Sequence, residues 1–144
     1  MKSMITLLII LLVGLVTVAC ARRFHNPKAG QLDKTAVAVT YATVGVDEFQ
    51  TAIATEGMQL LDVRTLEEFE EGHIAGAVLV DVNESDFVDK AVAVLDKERP
   101  VAVYCRSGRR SARAATLLDM QGYVVTNLDG GVIAWQAEGK TLVK

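Results

Sequence analysis

Cysteine, proline and histidine are all scarce in this chain, with two of each among 144 residues. No His, Cys, Asp and Glu combination falls at metal-ligand spacing, so neither a metal centre nor a metal-assisted reaction is expected. No glycine-rich loop opens a helix in the way a nucleotide phosphate site requires. No cofactor is therefore expected. Internal repeats and low-complexity tracts are absent. There is no basic excess either: the net charge is -3, which excludes a nucleic-acid binder.

One long apolar run is present. Met4 to Ala21 is broken only by Thr6, Gly14 and Thr17, and Lys2 precedes it. The run has no polar face, so it does not read as a core helix. A short positive start, an apolar centre and a small-residue end describe an export signal. The run ends Leu15-Val16-Thr17-Val18-Ala19-Cys20, which resembles a bacterial lipobox, with Thr17 where leucine is usual. The resemblance implies a signal over 1–19, lipid on Cys20, and export to a cell envelope with the protein held on a membrane. Arg22 and Arg23 follow directly, so an uncleaved single transmembrane anchor is the alternative, and a simple secreted form stands behind it. Residues 20–40, with Asn26-Pro27 and Ala29-Gly30 as breakers, read as a tether. The compact domain is expected over 41–144.

With Cys20 lipidated, Cys105 is the sole free thiol. No internal disulfide and no dithiol redox cycle is then possible, and an unpaired thiol in an exported protein calls for a function. A buried inert cysteine is the plain alternative. The neighbours argue against it. Tyr104-Cys105-Arg106-Ser107-Gly108-Arg109-Arg110-Ser111 follows a short apolar strand and opens a helix. Arg106, Arg109, Arg110 and Arg113, four of the fifteen Lys and Arg residues, lie within nine residues of the sulfur. The thiolate is the nucleophile, and a helix N-terminus with nearby arginines favours it. This pattern suits covalent catalysis on a small anion.

Strand-like runs alternate with helical spacing. Strands are expected at Ala42–Val44, Leu60–Val63, Ala77–Val80, Val101–Tyr104 and Tyr123–Val125. Helices are expected from Val46 to a stop near Gly57, from a Thr65/Glu68 capping box through Phe69, and between Ser85 and Asp96. Two more follow, one ahead of Gly122 and one over Val132–Ala137. Alternation of this kind implies an α/β fold, a parallel sheet with helices on both faces. Ligands of such sheets sit at the carboxyl ends of the strands, where Cys105 lies.

Four segments together resemble single-domain rhodanese-like sulfurtransferases. They are Leu61-Asp62-Val63-Arg64, Glu68 to Ala77 with Gly72-His73-Ile74-Ala75-Gly76, Val103 to Ser111, and Asn127 to Gly131 with Trp135. The resemblance covers Tyr41 to the C-terminus and implies a five-stranded parallel sheet. It also implies that Cys105 carries sulfur as a persulfide. Arg106, Ser107, Gly108, Arg109 and Arg110 are then the substrate-binding loop. The implied partners are a small anionic donor such as thiosulfate and a nucleophilic acceptor, a thiol or cyanide. The chain would act as a monomer. Asp62, Arg64 and His73 read as structural, and Trp135 as core. Two other readings compete. A cysteine-dependent phosphatase would have arginine six residues after the cysteine, where this chain has Ser111. A non-catalytic interaction module on the same fold would be expected to lose the cysteine.

Overall fold

The structure is a computed structural model and describes residue 38 and residues 40–144. The expected signal, lipidated Cys20 and most of the tether lie outside the described residues. Ala38–Lys144 form one compact unit. Its elements run β1 (Ala42–Val44), α1 (Val46–Ile53), β2 (Gln59–Asp62), α2 (Leu66–Glu71), β3 (Val78–Leu79), α3 (Phe87–Val94), β4 (Val101–Tyr104), α4 (Arg109–Met120), β5 (Val125–Leu128) and α5 (Gly131–Ala137). The five strands form one sheet in the order β1-β5-β4-β2-β3, and every pairing is parallel. This is the expected α/β architecture.

The period of two along β4 builds both cores. Val101 and Val103 point to one face, where they pack with Phe87, Ala91, Ala114, Ala115 and Leu118 from α3 and α4. Ala102 and Tyr104 point to the other, against Val46 and Phe49 of α1 and Val132 and Trp135 of α5. β4 is fully buried, as expected of a central parallel strand. Each large side chain buried there contributes roughly 1.5–3 kcal/mol. Trp135 is core, as expected: it meets Phe49 edge-on at 6.5 Å and donates its indole N–H to Thr141 O. Cys105 continues the parity of Val101 and Val103 and joins the α3/α4 cluster. Strand alternation therefore places the thiol on the face where α4 begins.

The element boundaries bring several corrections. β5 is Val125–Leu128, not Tyr123–Val125. The β-branched run invited the earlier start, but Val124 is 73% exposed. Asn127 is buried in the strand instead, its side-chain amide donating to Thr43 Oγ1 at 3.3 Å. β2 begins one residue earlier than expected, and β3 is only two residues long. α3 starts at Phe87 rather than Ser85 because Asp81 to Asp86 forms turns. α1 ends at Ile53, ahead of Gly57.

Candidate active site

The site is the seven-residue path from Cys105 at the end of β4 to Ser111 in the first turn of α4. Gly108 is the N-terminal cap of α4, in the left-handed region at φ 90°. A side chain there would sit 3.1 Å from Gly130 N, so both backbone angle and space call for glycine. The resulting curl aims the Gly108 N–H at Cys105 Sγ, at 3.2 Å. Ser111 Oγ lies 3.4 Å from the same sulfur. Cys105 is 1% exposed. Burial pushes its thiol up, but the Ser111 hydroxyl and the N–H groups of Ser111, Ser107 and Gly108 outweigh that and hold it below the ordinary 9.0. The loop thus favours thiolate by hydrogen bonds to the charged form.

A second layer holds the loop from behind. The N–H groups of Val132 and Ile133 on α5 donate to Cys105 O and Arg106 O at 2.9 and 3.1 Å. Gly131 makes that approach possible. A Cβ on it would lie 2.3 Å from Cys105 O and 2.6 Å from Arg106 C. The glycine pair after Asp129 therefore serves the loop as well as its own turn.

The arginines divide. Arg106, Ser107 and Arg109 are exposed. Arg110 is not available as a free fork: its Nη1 and Nη2 donate to Glu68 Oε2 and Oε1 at 2.7 and 2.6 Å. Hydrogen bonding from Arg110 is the main cause that holds the Glu68 carboxyl down at about 2. Glu68 is also the third helical residue of the α2 capping box, so it ties α2 to α4. Arg113 donates to Val82 O and braces the segment before α3. Asp62 and Arg64 are buried together, with Arg64 Nη2 2.6 Å from Asp62 Oδ2 and 2.8 Å from Gly72 O. They pin the end of β2 to the turn after α2, the structural role expected of them. His73 stacks on Phe69 at 3.7 Å, with Nδ1 3.1 Å from Phe69 O; its backbone pairs with Val143. A cleft of about 580 Å³ adjoins the loop through Arg106 and is walled by Arg64, Glu68, Val132, Ile133 and Gln136. Among the described residues, no group of three or more His, Cys, Asp or Glu is placed to hold a metal.

Two residues of the site escape a reading of the sequence as a site. Glu68 is 42 positions from Arg110, and its local pattern signals only a cap. Ser111 is visible by spacing alone, as the residue six after the cysteine; its contact with sulfur depends on how the loop curls.

The rhodanese-like domain family matches residues 45–138. The chain belongs to that family. Curated relatives of the rhodanese-like chain include a sulfurtransferase of Allochromatium vinosum, 39% identical over 90 residues, which span 62% of this chain and 81% of the relative. A thiosulfate sulfurtransferase, GlpE, of Pseudomonas fluorescens is 38% identical over 91 residues, or 62% and 80% of the two chains. Among solved structures, a rhodanese-related protein of Thermoplasma volcanium superposes with a TM-score of 0.63 at 27% identity, covering 72% of this chain and 98% of that one. Family and relatives together support sulfurtransferase activity in general for this rhodanese-like domain.

Proposed function

We propose that this chain moves a sulfane sulfur from thiosulfate, or a similar small anionic donor, to a thiol or cyanide acceptor through a persulfide on Cys105. The single observation that carries the reading is the Cys105 sulfur held under the Gly108 N–H and the Ser111 hydroxyl at the start of α4. In the first step the thiolate attacks the outer sulfur of thiosulfate. A sulfur–sulfur bond to Cys105 forms, the donor's sulfur–sulfur bond breaks, and sulfite leaves with the electron pair. In the second step the acceptor attacks the terminal sulfur and the Cys105 thiolate leaves. The negative charge stays within the loop throughout, where convergent N–H groups stabilise it without a cofactor. Exposed Arg106 and Arg109 attract the anionic donor, and Ser107 and Gly108 shape the cradle. Ser111 stands where a phosphatase needs its arginine, and the neighbouring Arg110 fork is committed to Glu68, which together weigh against a phosphatase. The chain is proposed to act as a monomer.

The deciding experiment is intact mass of the purified protein after thiosulfate treatment. A reductant-labile gain of one sulfur is expected, and Cys105→Ser should not show it. Equal behaviour of the two proteins would remove Cys105 from the reaction.

We also propose that Cys20 is the lipidated N-terminus of an exported, membrane-held protein. Lys2, the apolar block and Ala19-Cys20 support this.

A further inference from the structure

The Ser111 hydroxyl has one proton and, among the described residues, two acceptors within hydrogen-bond reach. One is Cys105 Sγ at 3.4 Å. The other is Gly108 O at 3.0 Å. Gly108 O already accepts the Ala112 N–H at 3.0 Å, so it does not need the hydroxyl. Ser111 is fully buried, away from bulk solvent. A hydroxyl rotates freely about its C–O bond, and its hydrogen goes to whichever acceptor gains most. A thiolate gains more than a carbonyl that is already satisfied.

We propose that Ser111 is a catalytic residue that turns its O–H to donate a hydrogen bond to Cys105 Sγ whenever that sulfur carries charge, and swings it back to donate to Gly108 O when the charge has moved outward. The inference rests on the sulfurtransferase reading for its catalytic consequence, but not for its effect on the thiol. In the resting protein the hydroxyl stabilises the thiolate. In the persulfide the charge sits on the terminal sulfur, and Sγ, now bonded to it, is a poor acceptor. In the second step Sγ becomes the leaving group, and the hydroxyl turns back to it as charge returns. No proton is gained or lost; one hydrogen bond is exchanged for another. The benefit falls chiefly on acceptor transfer, because a lower thiol pKa helps a leaving sulfur while it blunts an attacking one.

The test uses Ser111→Ala and Ser111→Thr in the full chain. The first measurement is the pH dependence of Cys105 alkylation by iodoacetamide, which needs no sulfur transfer. Ser111→Ala should move the thiol titration upward by about one pH unit, the loss of one hydrogen bond to a charged group. Ser111→Thr, which keeps the hydroxyl, should restore it. The second measurement is single-turnover transfer from persulfide-loaded protein to cyanide, expected to slow about tenfold in Ser111→Ala. Unchanged alkylation in Ser111→Ala overturns the inference even if the wild type loads sulfur normally. If the wild type takes up no sulfur, the sulfurtransferase reading fails instead, and the alkylation shift still reports on the hydroxyl. Should Ser111→Thr fail to fold, Ser111→Ala decides alone. Its added space is one hydroxyl, and circular dichroism checks its fold.

Discussion

The Cys105 thiol is held below its ordinary pKa by a few backbone donors and one hydroxyl, while the cations around it have separate duties. Arg110, the last arginine of the loop, is held by Glu68 in a two-bond fork. Such a pair fixes geometry better than it attracts a ligand. Arg110→Ala and Glu68→Gln should therefore each keep the fold and slow sulfur transfer by about tenfold, and the double variant should be little worse than either. A double-mutant cycle on unfolding should give a coupling of about 1 kcal/mol, since both side chains are a quarter exposed. Additive losses would show that the two residues act separately. The pair also has a pH signature. The Glu68 carboxyl is held at about 2 against an ordinary 4.5, so its stabilising effect is complete above 4.5 and is lost as the pH falls towards 2. The stability gap between wild type and Glu68→Gln should be largest near neutral pH and smaller at about pH 3. Urea midpoints at the two pH values measure it, and a constant gap would contradict the assignment.

At the level of elements, the loop is a joint between three of them. β4 supplies the sulfur, α4 supplies donors to it, and the first turn of α5 supplies donors to the loop's own carbonyls. The closest approach is at Gly131, where any side chain meets Cys105 O and Arg106. Gly131→Ala adds a Cβ to a residue at φ 57° and forces the loop away. A loss of about 3 kcal/mol in stability is expected, together with loss of sulfur loading by mass spectrometry. Gly45→Ala is the control, because a Cβ there meets nothing within 4 Å. If Gly131→Ala loads sulfur at the wild-type rate, the close packing of α5 on the loop is not needed for the chemistry.

On the scale of the molecule, catalysis and anchoring are expected to be separable. All the groups of the site lie between Asp62 and Leu142, inside the compact unit that begins at Ala38. A chain beginning at Ala38 should be monomeric in gel filtration and as active as the full protein towards thiosulfate and cyanide. In cells, Cys20→Ala should abolish labelling by fatty acid and leave precursor, whereas Cys105→Ala should do neither. Two or more acyl chains give stable attachment where one does not. An N-terminus at Met1 with no incorporated label would favour the uncleaved anchor.

The sequence by itself determined the strand–helix alternation, the central strand Val101–Tyr104, the Thr65/Glu68 cap and the cysteine loop. Each of these is written in local periodicity, capping chemistry or adjacent residue types, which act over a few positions. The true extent of β5 was hidden because Asn127 looks like a turn residue until Thr43 of β1 is brought beside it. Only the tertiary structure decided the partners of the loop. Glu68 reaches Arg110 across 42 residues, Ser111 meets the sulfur through the curl at Gly108, and α5 lends its first N–H groups to the carbonyls of Cys105 and Arg106. Those contacts depend on how β2, β4 and β5 lie side by side, and the order of strands in a sheet leaves no trace in local sequence.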